Sequence, residues 1–281
     1  LTFFPQISTR FLKTVAAVRS ASYNVVYPED VRLYGLSFAT NVLGTSLGGE
    51  VSFRPNMPLG INGADLNLAA TGNAASPLFV SGQSSNVAGA QVAGYQRMPV
   101  LQTQMSATRF FDQVLGADRL TLVGEVGYNR INGLGESDGT EVRFGRNTVF
   151  GAGQLVNQAV CVGQNTPVPG QPGVTRPSNP QQECNSHGFY TTDSWGYRLR
   201  GKLDYPNVFA GINLSPNLAW SHDVNGVGPN FEEGNKAISL GVDADYMNTY
   251  TASLSYTDYF GGKWNSITDR DYVAASFGVN F

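Results

Sequence analysis

At the end of the chain Val273, Ala275, Phe277, Val279 and Phe281 share one parity, while Ser276, Gly278 and Asn280 hold the other. A strand of that pattern turns one face to an apolar medium and the other to water. Period-two patterning of the same kind recurs in eight earlier segments, 31–42, 46–54, 98–110, 119–131, 194–205, 209–221, 236–247 and 249–260. The connections between them alternate in length. Short ones fall at 43–45, 111–118, 206–208 and around Asn248, and long ones near 55–97, 132–193, 222–235 and 261–271. Short and long connections sorted to opposite strand ends predict an all-β fold, an antiparallel transmembrane β-barrel of the outer-membrane type. A two-sheet sandwich has no reason to separate them. Strands of about 10 to 12 residues, rising ~3.3 Å per residue and tilted by about 45°, cover a ~25 Å apolar band.

Parity within single strands sharpens the picture. Tyr197, Leu199 and Leu203 oppose Arg198, Arg200, Lys202 and Asp204, and Ile238, Leu240, Val242 and Ala244 oppose Ser239, Gly241, Asp243 and Asp245. An Arg or Lys facing mid-membrane lipid costs about 2–4 kcal/mol, so the charged parity is expected to line a lumen. Glu50, Arg54, Glu125, Arg198, Arg200, Lys202, Asp204, Asp243 and Asp245 are the expected lumen-lining residues. Tyr34, Tyr128, Trp195, Tyr205, Trp220, Tyr246 and Phe260 fall near strand ends, where interfacial girdles form; ordinary strand packing explains any one of them equally well. Nine strands is an odd count, whereas single-chain bacterial barrels have even counts. A further strand is therefore expected before Val31. Residues 23–27 are a candidate, halted by Pro28, Glu29 and Asp30, and 11–18 suits either a short helix or more barrel wall. The expected organisation is a segment 1–30, a preceding strand or plug, followed by a barrel over 31–281.

Composition agrees with this reading and narrows it. Charged residues make up 14% of the chain, below the ~25% usual for soluble domains, and no apolar run approaches the ~20 residues of a membrane helix. The net charge of −3 leaves no basic footprint for nucleic acid. Cys161 and Cys184 flank a segment rich in Pro, Gly, Gln and Asn and are expected to form a disulfide, which places the loop in an oxidising compartment. With only His187 nearby, the two thiols make a poor zinc set. The chain opens at Leu1 without a basic-then-apolar leader, although a barrel of this kind must cross the inner membrane, so an upstream segment is expected to be missing or removed.

Enzyme chemistry finds little support. Ser221 and His222 are adjacent on a strand, point to opposite faces and cannot share a proton. The acidic run from Glu136 to Glu141 lacks the spacing of a calcium loop, and Gly124-Glu125-Val126-Gly127 lacks the following helix of a phosphate cradle. No catalytic residue, metal or cofactor is expected. Arg198, Arg200 and Lys202 form a basic ladder that either selects anionic solutes or pairs with Glu50, Glu125, Asp243 and Asp245 across the lumen, the pairing being the weightier alternative.

Several longer runs resemble a known family. They are Tyr27 to Phe38 (YPEDVRLYGLSF), Gly49 to Pro58 (GEVSFRPNMP), Phe110 to Asp118 (FFDQVLGAD), Tyr205 to Gly211 (YPNVFAG), Ser255 to Gly262 (SYTDYFGG) and Thr268 to Asp271 (TDRD). From about Tyr23 to Phe281 the chain is similar to the proteobacterial family designated domain of unknown function 1302. The resemblance implies a bacterial outer-membrane location, a barrel of which this chain is the C-terminal part, and neighbouring inner-membrane exporters of hydrophobic or amphiphilic compounds. It brings no catalytic residues. The chain's ending also resembles other outer-membrane barrels, in which a C-terminal aromatic is the signal read by the barrel-assembly machinery; Phe277, Val279 and Phe281 would carry that role. The expected function is passive passage of small hydrophobic or amphiphilic solutes, with membrane lipid, lipopolysaccharide, the assembly machinery and an inner-membrane transporter as partners. A plugged surface barrel for adhesion or recognition is the alternative, and an outer-membrane hydrolase a weaker one.

Overall fold

The computed structural model describes residues 22–87, 90–159, 161 and 183–280. Nine strands form one antiparallel sheet, each hydrogen-bonded to its neighbours in sequence. They are β1 (Tyr34–Val42), β2 (Thr45–Gly60), β3 (Tyr95–Val114), β4 (Ala117–Ile131), β5 (Asp193–Phe209), β6 (Ile212–Asn225), β7 (Asn235–Tyr246), β8 (Tyr250–Gly261) and β9 (Tyr272–Val279). Every segment of period-two patterning is a strand. The meander order follows from that alternation, because two-residue turns join antiparallel neighbours without a crossover.

Two short connections are tighter than the pattern predicts. The segment 111–118 is laddered, with Phe111 opposite Leu120 and Asp112 opposite Arg119, and the chain reverses only at Leu115 and Gly116, which both take positive φ. Residues 206–208 likewise are no turn. β5 runs on to Phe209 past an irregularity between Tyr205 and Phe209, which accommodates Pro206, a residue with no N–H for the ladder. The Asn207 N–H donates to Asn213 Oδ1 at 3.0 Å, and Asn207 Oδ1 accepts from the Gly211 N–H at 3.0 Å, closing the irregularity with side chains.

No strand occupies 23–27, contrary to expectation. Pro28 withholds a donor, Asp30 has a φ of 56°, and the carbonyls just after the segment are met by side chains rather than by a ladder: Arg97 donates to Glu29 O and Asn56 to Asp30 O at 2.7 Å. Among the described residues β1 and β9 are the two edges, and no ladder joins them. Segment 11–18 and Phe281 lie outside the described residues.

The chain divides into two compact units. One holds Arg32–Pro55, Pro99–Asn132 and 191–280, which is most of the sheet. The other comprises 22–31, Asn56–Met98 and the described part of 133–190. It contains α1 (Gly63–Ala70), α2 (Pro77–Val80) and a 3-10 turn at Thr148–Phe150. Asn62 starts α1: its Oδ1 accepts from the Ala64 and Asp65 N–H groups at 3.0 and 3.2 Å. The same side chain donates to the carbonyls of Gly145 and Arg146, at 2.8 and 2.9 Å, so one residue ties two long connections together.

This second unit has its own core. Leu68, Leu155, Cys161 and Cys184 cluster, with Ala75 and Ala152 packed against them. Cys161 and Cys184 are disulfide-bonded, with Cα atoms 5.8 Å apart and a sequence separation of 23, a closure that stabilises by about 3 kcal/mol. Arg143 is buried and grips buried Asp65 with both edges of its fork, Nε to Oδ2 at 2.9 Å and Nη2 to Oδ1. Its remaining donors reach the carbonyls of Ala152 and Gln154 at 2.8 and 2.6 Å. Burial pushes the Asp65 carboxyl up, against the Arg143 hydrogen bonds and charge, which hold it down. The Arg146 guanidinium donates to the carbonyls of Phe150, Glu183, Asn185 and His187, and burial first, then the charge of Arg143, brings its pKa down to about 10.

Candidate functional site on the polar face of the sheet

The register fixes which side chains share a face. One row reads Leu122, Gly201, Leu218, Leu240, Tyr256, Val273 from β4 to β9. Tyr34, Leu36 and Phe38 of β1 pair with Phe53, Val51 and Gly49 of β2 in the same sense. These side chains are open rather than buried: Leu36 is 79% exposed, Leu240 56% and Val273 68%. Charges of the same parity, among them Arg109, Asp118, Arg130, Asp193, Lys236 and Asp258, sit toward strand ends.

On the opposite parity the rows are Ser106, Glu125, Arg198, Ser221, Ala237 and Thr108, Val123, Arg200, Ala219, Ser239. All the residues expected to line a lumen have this parity. Their partners differ from the expected ones. Arg198 Nη2 is bonded to Asp223 Oδ1 at 2.7 Å, not to Glu125, which faces it across the ladder. Lys202 pairs at 3.2 Å with Asp204, which also accepts from Ser215 Oγ at 2.8 Å. Asp243 and Asp245 accept from Asn217 and Asn213 at 3.2 and 3.4 Å. Arg54 reaches Ser52 and Gln102 at 3.2 and 3.3 Å. Among the described residues the side chains of Glu50, Glu125 and Arg200 have no hydrogen bond or ion pair.

The β6–β7 connection folds onto this face. Gly127 and Gly196 are cross-strand partners, and the Phe231 ring lies over them; a Cβ at either would stand 2.9 Å from the ring, closer than carbon atoms approach. Arg198 stacks on Phe231 at 5.8 Å. Asn129 Nδ2 donates to Asn230 Oδ1 at 2.8 Å, and Asp223 Oδ2 accepts from the Glu232 N–H at 2.9 Å. Asn129 and Asp223 are buried beneath the connection. Burial pushes the Glu232 carboxyl above its ordinary value, the Asn235 hydrogen bond opposes, and the charge of Asp223 adds to the rise.

Next to this connection is a depression of about 290 Å³, with Glu125, Arg198 and Arg200 around Val123, Ala219 and Ala237. His222 stands on the other face, its ring 5.7 Å from Tyr197 and 6.4 Å from Trp220, while Ser221 is beside Arg198. In the acidic run, Asp138 accepts from the Thr140 N–H and Oγ1 at 2.9 and 2.6 Å, and Glu141 from the Glu136 N–H. No group of three potential metal ligands occurs among the described residues.

Sequence reasoning did not find Asp223, Asn230 or Phe231, which lie in or beside an irregular connection. The one available signal was a pair of strand glycines, Gly127 and Gly196, that become neighbours only once the register is known.

The family model described as "Protein of unknown function (DUF1302)" matches residues 4–281. The chain belongs to that family. No curated protein and no solved structure matches it. Within this DUF1302 chain four of the resembling runs fall where the backbone needs them: FFDQVLGAD and YPNVFAG hold the β3–β4 and β5–β6 turns, YPEDVRLYGLSF leads into β1, and SYTDYFGG ends β8.

Proposed function

We propose that this chain forms the wall of a bacterial outer-membrane β-barrel channel for small amphiphilic solutes. The observation that carries the reading is the row of open apolar side chains from β4 to β9, interrupted at Gly201, with most of the charged side chains of these strands on the opposite parity. An apolar patch of that extent needs a non-aqueous cover, and lipid covers a closed antiparallel wall without leaving backbone groups unmet. Further strands closing on β1 and β9 complete the barrel in this reading. Passage is passive, set by the polar lining and the β6–β7 connection, with direction supplied by a gradient or an inner-membrane pump. Lipid and lipopolysaccharide contact the outer wall.

Reconstitution of the full-length protein in planar bilayers tests this. Discrete conductance steps are expected, and Arg198→Glu with Arg200→Glu should shift their selectivity toward cations. Conductance with unchanged selectivity would take these residues out of the permeation path. A folded protein that never conducts would favour a plugged surface barrel for recognition, a reading supported by the inward-folded β6–β7 connection and by a loop unit with its own disulfide-linked core.

A further inference from the structure

The polar face carries one depression in which opposite charges stand without partners. Arg198 is committed to Asp223 and to the Phe231 ring, and Lys202 to Asp204. Glu125 and Arg200 border the same depression and, among the described residues, their side chains make no hydrogen bond or ion pair. They are diagonal neighbours on β4 and β5, since Glu125 pairs with Arg198 and Arg200 with Val123. Diagonal positions lie roughly 7–8 Å apart, so a solute a few atoms long reaches both. The floor between them is small and apolar: Val123, Ala219 and Ala237.

From this geometry we infer that the depression binds a short zwitterionic amphiphile. Arg200 takes its carboxylate through the guanidinium fork, Glu125 takes its ammonium, and the hydrocarbon part rests on Val123, Ala219 and Ala237. A solute with one charge leaves either the acid or the base unanswered. The inference rests on the channel reading, in which this face lines the path, and it supplies the solute class for that path.

Ligand-detected NMR on the full-length protein in detergent micelles tests it without requiring conductance. The probes are norleucine, hexanoate and hexylamine, which share a chain length and differ in charged groups. Norleucine is expected to bind at least about tenfold more tightly than either single-charge probe, the size of one lost charge-assisted contact. Arg200→Gln should reduce norleucine to the level of hexylamine, and Glu125→Gln to that of hexanoate. Both side chains are exposed and make no contact the fold depends on, so the variants should fold as the parent does. Equal binding of all three probes, or norleucine binding untouched by both variants, overturns the inference. So does the absence of binding in a protein that conducts, an outcome that leaves the channel standing; binding without conductance would sink the channel reading alone.

Discussion

The two units of this chain solve opposite problems. The loop unit buries its charges in pairs: Asp65 and Arg143 are both essentially inaccessible, their donors and acceptors met by each other and by carbonyls, around a disulfide and a few aliphatic side chains. The sheet unit leaves its large apolar side chains open and keeps its ion pairs half-exposed, as with Arg198 and Asp223 or Lys202 and Asp204. The first is organised around an interior of its own. In the channel reading proposed above, the second is organised for a surrounding that is apolar on one side, and its stability is then inseparable from what covers that side.

The largest expected effect comes from unpairing the buried charge. Asp65→Ala leaves Arg143 without its counter-ion and should destabilise the loop unit by about 3–5 kcal/mol. Limited proteolysis is expected to open 133–190 while the strands stay resistant. Simultaneous loss of the strands would show that the units do not fold separately.

A charge placed on the open apolar row comes next. Leu240→Arg should lower stability in lipid vesicles by about 2–4 kcal/mol, whereas Ser239→Arg, one residue away on the polar parity, should change little. Equal costs in urea titrations would remove the two-faced account of the sheet.

Phe231→Ala is expected to release the β6–β7 connection at a cost of about 1–2 kcal/mol, the share of a half-buried ring. Faster amide exchange over 226–234, with unchanged exchange in β4 and β5, is the signature. Unchanged exchange would mean that Asp223 and Asn129 hold the connection without the ring.

The smallest effect is one of pH. Glu232 is raised above 4.5 in the folded connection, so the docked form keeps a proton that the released form gives up. Docking is fully favoured below the ordinary value and weakens as pH rises through the raised one, with Asp223 and Glu233 the neighbouring acids and Arg198 the neighbouring base. Amide exchange compared across that interval should show looser docking at the higher pH, and Glu232→Gln should abolish the difference.

Strands were legible because the signal for them is local. A period of two along 236–247 needs no knowledge of β6 or β8 to be read. Strand ends were less so, since the ladder continues past Phe110 and Tyr205 into residues whose pattern has already broken. The helices α1 and α2 escaped notice because they are eight and four residues long and rely on Asn62 and Pro77 rather than on an apolar stripe. The site was half legible. Which charges share a face follows from parity; which of them remain without partners does not, because Arg198 bonds to Asp223, 25 residues along the chain, rather than to Glu125, its direct partner across the ladder.

The bond between Asp65 and Arg143 spans 78 positions, while the disulfide spans 23. In kinetic terms the two closures belong to different stages of maturation. The shorter ring can close while the rest of the chain is still searching, but the ion pair must wait until the second and third hairpins have brought two connections together. We expect an oxidised intermediate in which 161–184 is already linked and Arg143 is still hydrated. A refolding time course with quenched thiol labelling and pulsed amide exchange would reveal it as a disulfide that appears before protection of 143–146. Protection arriving first would reverse the order.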